Sequence, residues 1–362
     1  MAFFPVIRLL YCGKAEYRLF DKMRIRHNVA YGVENATAAG RVSAAGDKVI
    51  CLPVPIPATH EVHAMFQLVH ISDLHLAPFP QPSWRQLMNK RITGYLNWTF
   101  NRRDKMEKST FDVLVCDLKR QNPNHIAVCG DIVNLSLDTE FAQARQRIAE
   151  LGPVDNVSLV FGNHDAYVPG AFAKACQVFA PWIRGNRAGT AGFFPYMCVR
   201  DTVAVIGASS AIATLPFSAA GYLGARQAQE IGMLLRQAGE KGLFRIVMIH
   251  HPPLYHAAGW NKRLWDTRRF QAAVAAYGAE LVLHGHTHLP TLSFISGRHG
   301  RVPVVGVASA SQDFGGHKPP AGYNLFEISN SRQRGWQCHL TRRALMDQHN
   351  NIGVFMREVV YP

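Results

Sequence analysis

The chain has 362 residues and a mass of 40.3 kDa, enough for one large α/β domain or two smaller ones. With 48% hydrophobic and 18% charged residues, 29 glycines and 20 prolines, it is neither disordered, collagenous nor coiled-coil. Its 39 basic against 25 acidic residues give a formal charge of +14, which favours anionic partners: phosphates, nucleic acid or an anionic membrane surface.

Residues 1–64 show no sustained period of 2 or 3.6 and hold a small-residue patch at 36–46 and a proline-rich patch at 52–58, the composition of a poorly ordered or accessory N-terminal arm. The opening twelve residues are apolar but broken by Pro5 and Arg8, and they lack a basic leader and a small-residue cleavage site, so they make a weak secretion signal. At Met65 the character changes abruptly to the apolar run 66–72, a buried strand. We take Met65 as the natural start, a hypothesis that N-terminal sequencing beginning at Met1 removes.

Beyond it, strands are predicted over 126–129, 157–161, 203–207, 245–249, 281–283, 302–307 and 323–328, and helices over 105–120, 138–151, 225–239 and 266–277. That alternation predicts a layered α/β domain over 65–340, and the closing run of strands predicts a second sheet; residues 341–362 read as a C-terminal tail. The stretch 84–103 carries five basic residues (Arg85, Lys90, Arg91, Arg102, Arg103) and no acid. As one helix it places Trp84, Leu87, Met88, Ile92, Tyr95 and Leu96 on one face, either packed on the domain or laid against anionic lipid. No nucleic-acid motif accompanies it, so nucleic acid is the less favoured partner. Seven cysteines, an odd number without a C-x-x-C pair, suit a reducing cytoplasm, and no apolar run reaches the roughly 20 residues of a membrane-spanning helix. The expected location is cytoplasmic, peripheral to a membrane where the 84–103 stretch touches one; oligomeric state is not legible.

The chemistry collects at strand ends, where α/β sheets place their ligands. The clusters are Asp73-Leu74-His75, Gly130-Asp131, Gly162-Asn163-His164-Asp165, His250-His251-Pro252 and Gly285-His286-Thr287-His288. Any one of them reads as a helix cap, a turn or a solvated pair; recurrence over five loops is what points to a shared site. Asp73, His75, Asp131, Asn163, His250, His286 and His288 form an oxygen and imidazole set without thiolate. That is too many for one tetrahedral ion and suits two divalent ions, Mn, Fe, Zn or Co rather than Ca or Cu(I). Only two of the seven are anionic, so the loaded site keeps positive charge for a phosphoryl group. Two ions about 3.5–4 Å apart bring the pKa of a bridging water towards neutrality and present hydroxide to phosphorus.

In this order the five elements resemble the signature of the calcineurin-like metallophosphoesterases: Asp-X-His, Gly-Asp, Gly-Asn-His-Asp/Glu, His, Gly-His-X-His. The likeness covers roughly residues 65–330. It implies a four-layer αββα sandwich of two mixed sheets flanked by helices, and a dinuclear phosphoester hydrolase acting through a metal-bridging hydroxide. By motif, Asp73, His75 and His288 would hold one metal, Asn163, His250 and His286 the other, and Asp131 both, with Mn and/or Fe expected. His250 is chosen over His251 because it stands two before Pro252. His164 would act as general acid or transition-state donor, with Asp165 holding its other nitrogen. The competing class is an inactive scaffold of the same fold, although no ligand of the set is missing.

Overall fold

The computed structural model describes residues 65–76, 81–101, 108–185 and 192–361. The arm expected over 1–64 lies outside them, as do Arg102 and Arg103. Two six-stranded sheets form the frame. The first carries parallel strands β1 (Phe66–Ile71), β2 (His125–Val128) and β3 (Val157–Leu159), extended antiparallel beside β1 by β10 (Gly322–Ser331), β11 (Gly335–Leu345) and β12 (Ile352–Tyr361). In the second, β5 (Val203–Gly207), β6 (Phe244–Met248), β7 (Leu281–His284) and β9 (Arg301–Gly306) run parallel, with β4 (Tyr196–Arg200) and β8 (Leu292–Ser296) antiparallel at the edges.

Side-chain alternation along these strands builds four layers. Phe66 and Leu68 of β1, Val203 and Val205 of β5, and Phe244, Ile246 and Met248 of β6 join one buried cluster between the sheets. Their neighbours face outward. Val69 and Ile71 pack with Phe111, Leu114 and Leu118 of α3 (Lys108–Arg120) and Phe141 and Ile148 of α4 (Asp138–Ala149). Ala204, Ile206 and Val247 pack with Ile231 and Leu235 of α6 (Ala225–Glu240) and Phe270 and Val274 of α7 (Thr267–Tyr277). The fold is therefore the αββα sandwich of two mixed sheets. Among the described residues no helix is long and apolar enough to cross a membrane.

Strands β4 and β8 were not expected, and three further segments differ from the sequence expectation. Residues 341–362 complete β11 and supply all of β12, so the expected tail is an edge of the first sheet. β12 is apolar in part, but its middle is exposed and only its ends, Ile352 and Val360–Tyr361, pack on the core, so it lacks the period of a buried strand. The 84–103 stretch forms two helices, α1 (Trp84–Leu87) and α2 (Arg91–Asn101). The break falls at Asn89, whose Oδ1 accepts the Arg91 N–H at 2.9 Å and restarts the helix. Finally, a short α5 (Ala171–Val178) follows the Asn163 loop without having been expected.

Phe244 is fully buried between the sheets, edge-on to Trp336 and Tyr361. Phe244→Ala is expected to cost about 3–5 kcal/mol, read as a fall in the urea midpoint, whereas Met233→Ala on the exposed side of α6 stays within about 0.5 kcal/mol.

Candidate metal centre

The carboxyl ends of β1, β2 and β3 in one sheet and of β6 and β7 in the other open onto the same seam, and every candidate ligand sits two to four residues beyond a strand end. The loops are zipped to one another through their backbones. The Asp73 N–H donates to Gly130 O (2.9 Å), His75 N–H to Asp131 O (3.0 Å), and Gly285 N–H to His250 O (3.1 Å). The Ser309 hydroxyl donates to the Asp73 carbonyl at 2.6 Å. Two motif glycines stand where no side chain fits: a Cβ on Gly162 would run into Asp131 Oδ1 and lie 2.6 Å from His250 Nε2, and one on Gly285 would strike Ser72 Oγ and lie 2.6 Å from Asp73 Oδ2.

Three groups of donor atoms, each within 4.8 Å of one another, form there: Asp73, His75 and His288; His75, Asp131 and His164; Asp131, His250 and His286. Asp131 and His75 belong to two groups each, so the three make one continuous cluster. Asp131 Oδ2 lies 3.3 Å from His250 Nε2 and 3.9 Å from His75 Nε2, and Asp73 Oδ1 lies 3.1 Å from His288 Nε2. Asn163 is buried beside them, and its Oδ1 is among the buried side-chain atoms that accept no hydrogen bond. Nitrogen and oxygen donors gathered in a dry seam, with a carboxamide oxygen left over, fit divalent cations.

The histidines are oriented by their far nitrogens. His250 Nδ1 donates to Cys129 O at 2.7 Å, which turns Nε2 to Asp131. His251 has both nitrogens engaged elsewhere, Nδ1 with Ser210 Oγ (2.7 Å) and Nε2 with Ala219 O (3.0 Å). His164 Nδ1 donates to the carbonyl of Asn134 at 2.6 Å, and its ring stacks on Tyr167.

Here the sequence reading needs correction. Asp165, expected to hold the His164 ring, accepts backbone N–H groups instead: Ile132 (2.9 Å) and Val133 (3.2 Å) on Oδ1, Gly162 (2.9 Å) on Oδ2. Three donors with no other partner claim a carboxylate before an imidazole that a carbonyl already satisfies. Asn134 and Tyr167 were missed. A main-chain carbonyl leaves no trace in residue type, and Tyr167 carries no signal beyond standing three after His164.

Crowding shifts the titrations. Burial alone raises the Asp131 carboxyl, but the His250 and His164 imidazoles outweigh it and hold it well below the ordinary carboxylate range. Burial likewise works against charge on His250, yet the Asp131 carboxylate raises that imidazole to about 9. His286, buried and facing His250, is lowered to about 3. A proton therefore occupies His250 in the metal-free seam at neutral pH, and a cation must displace it. Mn affinity is expected to rise with pH up to about 9, approaching tenfold per unit, with a proton released on binding; isothermal titration across buffers of differing ionisation enthalpy measures both.

Comparison with known proteins places this geometry. A dimetal phosphatase from Danio rerio superposes with a TM-score of 0.54 at 12% identity, over 82% of this chain and 98% of that one. A purple acid phosphatase from yellow lupin (Lupinus luteus) seeds gives 0.51 at 16% identity, over 83% of this chain and 54% of that one. These likenesses bear on the fold alone. No curated protein sequence matches the chain. The calcineurin-like phosphoesterase family model matches residues 66–290, from the first residue of β1 to two residues past His288. The match spans more than half of the chain and all seven candidate ligands, and the chain belongs to the calcineurin-like phosphoesterase family.

Proposed function

We propose that this metal-dependent phosphoesterase, a hydrolase by family and by its Asp and His donor clusters, is dinuclear: Asp73, His75 and His288 hold one ion, Asn163, His250 and His286 the other, and Asp131 touches both. The observation that carries this is Asp131's membership of two donor groups, one with His75 and one with His250 and His286. Mn and/or Fe suit the mixed nitrogen and oxygen set, with Zn or Co as alternatives. When bound, such a pair supplies Lewis acidity and a hydroxide nucleophile at neutral pH.

The chain's own residues do the rest. Asp131, its carboxyl held well below the ordinary carboxylate range by the His250 and His164 imidazoles, is an anionic donor at neutral pH. His164, its Nδ1 fixed by Asn134 O, keeps Nε2 as the nitrogen that moves a proton, so it donates to the leaving oxygen as general acid. Tyr167, stacked on the ring at 5.5 Å between centroids, fixes its plane.

For substrate we propose a phosphodiester or diphosphate rather than a protein phosphate, with a nucleotide-linked lipid precursor preferred to a cyclic nucleotide. The acid-free basic segment at 84–101, which borders the His164 loop, supports an amphiphilic anion. The location that goes with it is the cytoplasm, peripheral to a membrane.

Hydrolysis of an aryl phosphodiester with added Mn, abolished by a chelator, is the expected result; no turnover with Mn, Fe, Co or Zn would favour the inactive scaffold. Asp131→Ala and Asn163→Ala should remove most of the rate together with one metal's binding. His164→Ala should spare metal binding and lower kcat by about 10²–10⁴-fold, the range of a lost general acid. A panel of cyclic AMP, a UDP-linked acyl sugar and a short oligonucleotide ranks the substrate classes.

A further inference from the structure

Three segments distant in sequence meet at the rim of the metal seam. Lys90, between α1 and α2, donates to Thr214 Oγ1 (2.7 Å) and to Ser218 O (2.9 Å), which joins the first segment to the loop after β5. Asn261 ties that loop to the one after β6: its Nδ2 donates to Phe217 O at 2.9 Å and its carbonyl accepts the Ala219 N–H at 2.8 Å. The joined surface borders the cluster on two sides. Arg91 donates to Leu135 O and Ser136 O, both at 2.8 Å, beside the His164 loop. Across the seam, Ala219 O receives His251 Nε2, and the His251 ring lies 4.4 Å from that of His286.

What this surface shows to solvent is unusual. Trp84 is 67% exposed, Met88 71%, Leu215 81%, Phe217 84%, Tyr255 54% and Trp260 69%. Large apolar side chains scattered singly need no explanation, but six on three hydrogen-bonded segments around one site do. Their charge is one-sided. Residues 84–101, 212–219 and 255–263 contain Arg85, Lys90, Arg91, Lys262 and Arg263 and not one acid. Aromatic and aliphatic tips set among cations, without acids, match the headgroup region of an anionic bilayer, where the rings enter the acyl boundary and the cations meet phosphate.

We propose that this three-segment rim docks the enzyme on an anionic lipid bilayer, with the metal seam facing the headgroups. The inference deepens the proposed function by naming the surface at which an amphiphilic phosphoester is met, and it rests on that reading for the substrate alone. The rim extends beyond the 84–103 stretch, since its most exposed residues, Leu215 and Phe217, belong to the loop after β5.

The test is co-sedimentation of the full chain with vesicles of mixed phosphatidylglycerol and phosphatidylcholine against phosphatidylcholine alone, with hydrolysis of a soluble aryl phosphodiester measured in parallel. Binding only to the anionic vesicles, weakened by salt, is expected. Leu215→Ser with Phe217→Ser, and separately Trp260→Ser, should each lower partition by about tenfold or more while the soluble rate stays unchanged. Arg85→Glu with Lys262→Glu should do the same. Equal binding to neutral vesicles, undiminished binding by the variants, or preference for an oligonucleotide over vesicles would overturn the proposal. Failure of the unaltered chain to bind anionic vesicles while its aryl phosphodiesterase is intact condemns the rim and spares the phosphoesterase reading; vesicle binding by the unaltered chain without hydrolysis does the reverse.

Discussion

Seven candidate donors, four from loops of one sheet and three from loops of the other, have to meet in a seam where water is scarce. That crossing of the two sheets is the constraint on which the rest of the molecule depends. The side chains negotiate it partly through each other: Asp73 accepts the backbone N–H of His286 from the opposite sheet at 3.0 Å on Oδ2, and Asp131 accepts the His164 N–H at 2.8 Å on Oδ1. Carboxylates and imidazoles packed this closely pull one another's proton affinities apart, as the opposite shifts of Asp131 and His250 record. A divalent cation held by donors from both sheets would relieve that crowding and tie one sheet to the other, which would couple metal occupancy and sheet packing in a single free energy.

Beneath the donors lies a support made of groups that do no chemistry themselves. Glu140, at the start of α4, accepts the N–H groups of Asn134 (2.8 Å), Leu135 (3.0 Å) and Leu137 (2.9 Å), so the carbonyl that orients His164 is itself set by a buried carboxylate. Asp165 performs the same service for Ile132, Val133 and Gly162. On the far side, the buried Arg342 of β11 donates to Asn324 Oδ1 in its own sheet and to Gly306 O and Thr291 O of the other, anchoring the chain just after His288. Backbone donors and acceptors that could find no water are paired, and the loops acquire fixed shapes without regular structure.

The parallel strands were legible because each reads as a short, largely buried apolar run; β5 and β6 are such cases. The donor set was legible because its residue types recur after five of them. Strands β8, β11 and β12 were not: β8 and β12 expose much of their length, and β11 interrupts its apolar residues with charges, one of them the buried Arg342. The partner of the His164 ring was illegible for a different reason, since it is a carbonyl whose position follows from a loop path, and residue spacing alone favoured the adjacent carboxylate of Asp165. The split between α1 and α2 is intermediate: Asn89 is a recognisable cap, but the run of apolar positions on either side masked it.

Five of the seven candidate ligands, Asp73, His75, Asp131, His286 and His288, have left-handed backbones, with φ between 40° and 67°. Aspartate and histidine are among the few side chains other than glycine that this conformation tolerates, and they are also good donors to a divalent cation. Backbone shape and coordination chemistry thus draw on one short alphabet at these positions. A glutamate in place of Asp73 keeps a carboxylate but not the short side chain that eases a left-handed turn, so substitutions conservative by charge are radical here by conformation. A lineage that drifted at these loops would be steered towards asparagine, aspartate, histidine or glycine whether or not it kept its metals, and the motif would outlast the activity as a fossil of the turn geometry.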